Sequence, residues 1–121
     1  MSQMDPRWRR GIEEFNAGHF FTAHEVWEAL WLESVEPEKL LLQGLVQVAA
    51  GYAKVETGQR SGALKLLTRG VEKLRHMRRA ASGLALEPFI DGVTADVQRL
   101  HHASETSVSI DLVRVPLLSL T

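Results

Sequence analysis

The sequence predicts an all-α fold: a compact antiparallel bundle of about five helices, followed by an extended C-terminal arm. Apolar residues recur at spacings of three and four along most of the 121 residues, which is the period of an amphipathic helix. Pro6, Pro37 and Gly58 stand at the edges of these periodic segments, where helices begin and end. A chain of this length has the size of one domain with one core, so we expect residues 1–121 to form a single helical-bundle domain.

The first two helices are predicted from a local start signal and from one dense apolar stretch. Asp5-Pro6 is typical of an N-cap followed by proline at the first helical position, so the first helix begins there and ends near residues 16–18. The second helix runs to about Glu33. When it is drawn as a helix, its apolar residues form one arc, which Phe21 and Leu32 extend on the far side. The arc itself consists of Phe20, Ala23, Val26, Trp27, Leu30 and Trp31.

The third helix, at about residues 38–57, is apolar nearly all round and is therefore predicted to be the buried centre of the bundle. Gly44 and Gly51 are seven residues apart and lie on nearly one line of this helix. A glycine inside a helix costs about 0.5–1 kcal/mol relative to alanine. We therefore expect a neighbouring helix to approach closely along the glycine line.

The remainder of the chain gives a fourth helix, a loop, a fifth helix and an arm. The fourth helix begins at about residues 59–61 and ends near Arg79, with a basic outer face. Residues 84–92, which include Pro88, are predicted as a loop, and a fifth helix follows at about residues 94–103. From Ser107 onward, β-branched residues predict an extended arm that packs either on the bundle or on a second subunit.

The composition narrows the class of protein. A formal net charge of -1 argues against a dedicated nucleic-acid binder, and the absence of cysteine excludes disulfides and thiolate metal sites. The first ten residues lack the apolar segment of a signal peptide. The longest apolar run, within residues 40–48, is interrupted by polar residues and is too short to cross a bilayer. We therefore expect a cytoplasmic protein without membrane or nucleic-acid partners.

Two ionisable residues lie on the side of the second helix that packing should bury. His24 and Glu28 are one helical turn apart, so their side chains can reach each other. Burying them without partners would cost roughly several kcal/mol. The favoured interpretation is a buried polar network that fixes the packing of the helices. Its predicted members are His24, Glu28, Trp31, Gln43 and Gln47.

Two other functions stay open. In the first, His24 and Glu28 are ligands of a divalent metal such as zinc in a metal-dependent hydrolase, where Glu25 or a glutamine positions water. Such a site needs at least one more ligand, and the candidates have no diagnostic spacing: Glu14, His19, Gln47 and His76. The second is a protein-interaction module with a tetratricopeptide-like groove, which residues 15–23 suggest.

The residues from Gly18 to Trp31 read G-x-F-F-x-A-H-E-V-x-E-x-x-W. Together with L-Q-G-L-V-Q-V-A-A at residues 42–50 and G-x-x-x-G-A-x-x-L-L at 58–67, they resemble the helical family catalogued as domain of unknown function 309. The resemblance runs from about Phe15 to Leu74. The chain matches the family motif at His24, Glu28, Trp31, Gln43, Gly44 and Gln47.

This resemblance implies an all-helical fold without a characterised activity. Some members are labelled predicted metal-dependent hydrolases because of their histidine and glutamate. Many members carry a histidine where this chain has Lys54, so a metal site that needs a ligand there is weakened.

Self-association is predicted from the amount of apolar surface. The third helix and the C-terminal arm carry more apolar residues than one small bundle comfortably covers. The simplest assembly that would cover them is a two-fold homodimer.

Overall fold

A computed structural model of the chain describes residues 5–77, 83–103 and 110–120. Within these ranges the fold is all-α, as predicted, and strand pairing is limited to one isolated bridge between Leu84 and Leu120. The helices are α1 (Pro6–Asn16), α2 (Phe20–Glu33), α3 (Glu38–Glu56), α4 (Arg60–His76) and α5 (Leu86–His102), followed by a 3-10 helix at Ile110–Leu112. Each of the helices α1 to α4 packs against the helix that follows it along the chain. Short turns make α1 to α4 antiparallel neighbours.

The start of α1 follows the local signal in the sequence. The Asp5 side chain accepts a hydrogen bond from the backbone N–H of Arg7 at 2.9 Å, and Pro6 occupies the first helical position. Gly18 and Gly58 follow α1 and α3 with φ values of 85° and 74°, a left-handed conformation that suits glycine at a helix end. These signals place the start of α1 and the turns after α1 and α3 where the sequence predicts them.

The predicted close approach along the glycine line is confirmed, and the partner is α4. A β-carbon built on Gly44 would lie 2.9 Å from Leu74 Cδ2, and one on Gly51 would lie 2.7 Å from Leu67 Cδ2. The approach is reciprocal, because a β-carbon on Gly70 would lie 2.8 Å from the carbonyl oxygen of Gly44. The glycines therefore remove side-chain volume where α3 and α4 meet.

Phe15 lies at the centre of an aromatic cluster that joins four helices. Its ring centroid is 5.2 Å from that of Phe20, 5.8 Å from Tyr52 and 5.5 Å from Phe89. The Trp27 ring is stacked against that of Phe15, with the ring centroids 6.0 Å apart. All five rings are at most 4% exposed. The cluster fixes α2 between α1 and α3 and so determines which face of α2 meets solvent.

The fifth helix begins earlier than predicted. α5 starts at Leu86, so the predicted loop over residues 84–92 is wrong for most of its length. Pro88 lies in the first turn of α5, where a backbone N–H has no partner within the helix and proline is tolerated. The fourth helix, predicted to end near Arg79, ends at His76, and Arg79 itself lies outside the described residues.

The C-terminal arm, residues 113–119, is neither helix nor strand and packs on its own bundle. Asn16 at the end of α1 donates a hydrogen bond to the carbonyl of Leu118 and accepts one from its N–H, both at 2.9 Å. Leu118 is fully buried, and Pro116 packs against Gly92 of α5. No helix among the described residues is long and apolar enough to cross a membrane.

Candidate functional site

His24 and Glu28 form a hydrogen-bonded pair on α2. The distance between His24 Nε2 and Glu28 Oε2 is 2.9 Å. The side chains are 25% and 46% exposed, so the expected burial is wrong for Glu28. The reason is that α1 and α3 cover only one side of α2. The pair lies at the border of the covered side, where water can hydrate the Glu28 carboxylate.

The environment of His24 distinguishes its two ring nitrogens. Nε2 faces the Glu28 carboxylate, whereas Nδ1 is buried and has no hydrogen-bond partner among the described residues. A carboxylate accepts hydrogen bonds, so these contacts assign the proton of the neutral ring to Nε2. A metal ion could therefore reach His24 only through Nε2, where it would replace the proton that Nε2 donates to Glu28.

The other predicted members of the polar network do not join this pair. Gln47 Oε1 instead accepts a hydrogen bond from Lys73 Nζ of α4 at 2.9 Å. The indole Nε1 of Trp31 is buried without a partner in the described part of the chain, and Lys39 Nζ lies 4.7 Å from the Trp31 ring centroid. Gln43 is half-buried in α3. A functional role for this set of residues stays a prediction.

The candidate third ligands of a metal site are engaged elsewhere. His19 Nδ1 lies 2.8 Å from Glu14 Oε2, and His76 Nδ1 lies 2.7 Å from the carbonyl oxygen of Glu72. Across residues 5–77, 83–103 and 110–120, no group of three histidine, cysteine, aspartate or glutamate side chains could hold a metal. His24 and Glu28 would therefore supply two protein ligands and leave the other positions to water or substrate.

Two grooves share Phe21 and His24 in their lining, and the rings of these two residues are 5.8 Å apart. The first, here called the α2 groove, has a volume of about 390 Å³. It includes the candidate catalytic residue Glu25, which is exposed, and is lined by Phe21, His24, Glu25, Glu28, Ala29 and Leu32.

The second groove, here called the α2–α3 groove, has a volume of about 310 Å³. It extends from His24 along α3 to the turn before α4. Its lining residues are Phe21, His24, Ala50, Ala53, Lys54, Thr57 and Gln59. Glu28 does not line this groove, so the two grooves differ in charge: the first carries carboxylates and the second carries the ammonium group of Lys54.

The fully buried polar centre of the molecule lies elsewhere, at Asp96 of α5. Asp96 has no exposed surface and accepts hydrogen bonds from the Tyr52 hydroxyl at 2.6 Å and from Arg99 Nη1 and the Arg114 N–H at 2.8 Å. Burial, with the negative charge of Asp96 beside it, raises the pKa of Tyr52, so the hydroxyl stays protonated and donates. This centre joins α3, α5 and the arm.

The sequence did not lead to a prediction for Asp96, because the fifth helix was predicted to begin at about residue 94 and begins at Leu86. With the helix begun at Leu86, Asp96 falls on the apolar face, three residues after Val93 and four before Leu100. A carboxylate at such a position needs buried partners. That spacing is the signal that could have identified it.

A comparison with known protein families finds a match in the N-terminal part of the chain. Residues 8–66 match the model of the family described as "Domain of unknown function (DUF309)". The match begins in α1 and ends in α4, so it includes the His24–Glu28 pair and both grooves. Among curated proteins, none matches the chain at a significant level.

Proposed function

We propose that the protein, whose residues 8–66 match the model of the DUF309 family, is a non-enzymatic helical interaction module that forms homodimers. The surface that would bind the second copy is the exposed apolar stripe of α2. A cytoplasmic location, expected from the sequence, belongs to the same proposal.

The observation that carries this proposal is the exposure of large apolar side chains on α2. Phe21 and Leu32 are 62% and 67% exposed, and Val35, in the turn after α2, is 74% exposed. Five large apolar side chains are exposed among the described residues, and three of them are Phe21, Leu32 and Val35. Phe21 and Leu32 are eleven residues apart, which places them on the same face of α2. Apolar residues clustered on one helix face are typical of interfaces, whereas single exposed ones are not.

The His24–Glu28 pair would support this interface without being a catalytic site. A carboxylate at an interface is costly to desolvate unless a hydrogen-bond donor or an opposite charge accompanies it. Glu28 already has such a partner in His24, at 2.9 Å. The pair therefore reduces the cost of covering Glu28 when Phe21 and Leu32 pack against a second copy.

Sedimentation equilibrium on matched variants tests the proposal. The wild type should be a dimer at roughly tens of micromolar. Leu32→Glu should be a monomer, because it places a charge in the stripe. Leu117→Glu is the matched control, because Leu117 on the arm is 66% exposed, like Leu32 at 67%, but lies outside the stripe. A monomeric wild type, or a Leu32→Glu variant that still dimerises, would contradict the proposal.

The competing function is the metal-dependent hydrolase. The observation in its favour is the His24–Glu28 pair itself, because Nε2 and Oε2 at 2.9 Å could hold one ion between them. Exposed Glu25 lines the same groove and could position a water molecule. The response of the melting temperature to zinc and to a chelator separates the two functions.

A further inference from the structure

The α2–α3 groove combines an apolar floor with one cation at its end. Ala50 and Ala53 of α3 form the floor, and the ring of Phe21 stands at the side. Lys54 and Gln59 line the end nearest to α4. At about 310 Å³, its volume falls at the small end of the range for organic ligands.

Lys54 lies in the groove without a counter-charge. Its Nζ donates a hydrogen bond to Gln59 Oε1 at 3.2 Å, and among the described residues no carboxylate lies within ion-pair distance of it. The stem of the side chain passes Gly62, where a β-carbon would be 3.7 Å from Lys54 Cδ. Lys54 is half-buried as a residue, and its ammonium group bonds only to a neutral amide among the described residues, which favours a negatively charged ligand.

The polar end of the groove is held in place by its own hydrogen bonds. Gln59 Nε2 donates to the Thr57 hydroxyl at 2.7 Å, and this orients the amide oxygen of Gln59 toward Lys54. The Thr57 hydroxyl donates in turn to the carbonyl of Lys54 at 3.2 Å. Because these groups are already ordered, an anion that binds Lys54 loses less free energy to ordering.

We propose that the α2–α3 groove binds a small organic carboxylate with an apolar, ring-containing body. The carboxylate pairs with Lys54 Nζ, and the body lies on Ala50 and Ala53 against the ring of Phe21. Glu28 does not oppose this anion from within the groove, because it lines the α2 groove and pairs with His24. This inference goes beyond the proposed dimer and does not depend on it.

Titration with 3-phenylpropionate, followed by amide chemical shifts in NMR, tests the inference. The full chain should show saturable shifts at residues 50–59 with a dissociation constant below roughly 10 mM. The uncharged analogue 3-phenylpropanamide has the same ring and length, and it should bind about tenfold more weakly. Equal affinity for the acid and the amide, shifts that map elsewhere, or no saturable binding would overturn the inference.

Two variants test whether Lys54 binds the carboxylate and whether Ala53 contacts the apolar body of the ligand. Lys54→Gln should lose about tenfold in affinity for the acid and none for the amide. Lys65→Gln, at an exposed position of α4, is the matched control and should bind both compounds like the wild type. Ala53→Leu fills the floor and should weaken both ligands. An unchanged affinity of Lys54→Gln for the acid, or of Ala53→Leu for both compounds, would contradict the assignment.

The Leu32→Glu variant separates this inference from the dimer. Leu32 lines the α2 groove and not the α2–α3 groove, so the variant should bind 3-phenylpropionate with the affinity of the wild type. Loss of binding in this variant would contradict a ligand site within one copy. A monomeric wild type that binds the acid would contradict the dimer alone.

Discussion

Tyr52 of α3 donates a hydrogen bond to Asp96 of α5 across 2.6 Å, between two positions that are 44 residues apart. The arm completes the same centre, because the N–H of Arg114 also bonds to Asp96. α3 and α5 are not neighbours along the chain, and this contact connects the family-matched half of the bundle to the half outside the match.

Removing either partner of this bond should destabilise the protein. Tyr52→Phe leaves the buried carboxylate with one donor fewer, and we expect it to cost about 1–3 kcal/mol. Asp96→Ala should cost more, because it leaves the Tyr52 hydroxyl and the Arg114 N–H without an acceptor. Urea denaturation measures both, with Asp91→Ala, an exposed carboxylate of α5, as the control. A cost of Tyr52→Phe no larger than that of the control would refute the argument.

The same bond predicts a dependence on alkaline pH. The pKa of Tyr52 is raised in the folded state, mainly by burial and next by Asp96. Its contribution to stability is therefore fully present below the ordinary tyrosine pKa of about 10 and decreases as the pH rises beyond it. The free energy of unfolding of the wild type should fall above about pH 10 more steeply than that of Tyr52→Phe. Parallel curves would show that Tyr52 ionises in the folded state as it does in water.

The N-cap of α1 predicts a dependence on acid pH. Hydrogen bonds from Arg7 lower the pKa of Asp5 to about 2. The contribution of Asp5 is therefore present above its ordinary value near 4 and is lost as the pH falls through about 2. The melting temperature of the wild type should fall over this interval more than that of Asp5→Asn. Asp111→Asn, at an exposed position, should follow the wild type.

The helices were predictable where their signals are local. Asp5, Pro6 and Gly58 act within one turn of the backbone that they cap or end, so the boundaries of α1 and α3 follow from neighbouring residues. The glycine line was predictable because a seven-residue spacing fixes a helix face whatever packs on it. The start of α5 was not predictable, because a proline occurs both in the first turn of a helix and in loops, and the neighbouring residues do not distinguish the two.

The candidate site was predictable as a pair but not in its surroundings. Helical spacing brings His24 and Glu28 together, and the structure has them at 2.9 Å. Periodicity identifies the faces of α2 but not how far α1 and α3 cover them, so the exposure of Glu28 was missed. The contact of Gln47 with Lys73 joins residues 26 positions apart, and no local pattern specifies such a contact.

The close contact between α3 and α4 predicts opposite effects on stability when two glycines of α4 are replaced by alanine. In Gly70→Ala the new methyl group would lie 2.8 Å from the Gly44 carbonyl oxygen and 2.7 Å from Val48 Cγ2, so the helices must separate. We expect a loss of about 1–3 kcal/mol. In Gly62→Ala the nearest atom is Lys54 Cδ at 3.7 Å, an ordinary contact, so stability should be unchanged or rise. Equal denaturation midpoints for the two variants would mean that the helices can move apart without cost.

A double-mutant cycle measures how strongly His24 and Glu28 stabilise each other in the absence of a metal. Because the Glu28 side chain is half exposed, the coupling between the two residues should be modest, about 0.5–1 kcal/mol in a double-mutant cycle of His24→Ala and Glu28→Ala. Glu25→Ala, which removes an exposed carboxylate next to His24 in the chain, should show no coupling to His24→Ala. An uncoupled His24–Glu28 cycle would mean that the hydrogen bond contributes nothing to stability.

Thermal melts with zinc and with EDTA complete this test. A metal that binds only the folded protein raises its melting temperature by mass action. If the pair is structural, the melting temperature of the wild type should be the same with EDTA and with zinc. If His24 Nε2 and Glu28 hold a metal, zinc should raise it, and both single variants should lose the rise while remaining folded. Glu25→Ala should keep the rise in that case, because Glu25 would position water rather than bind the ion. A zinc-dependent increase that disappears in His24→Ala and Glu28→Ala would replace the interaction module with the hydrolase as the favoured function.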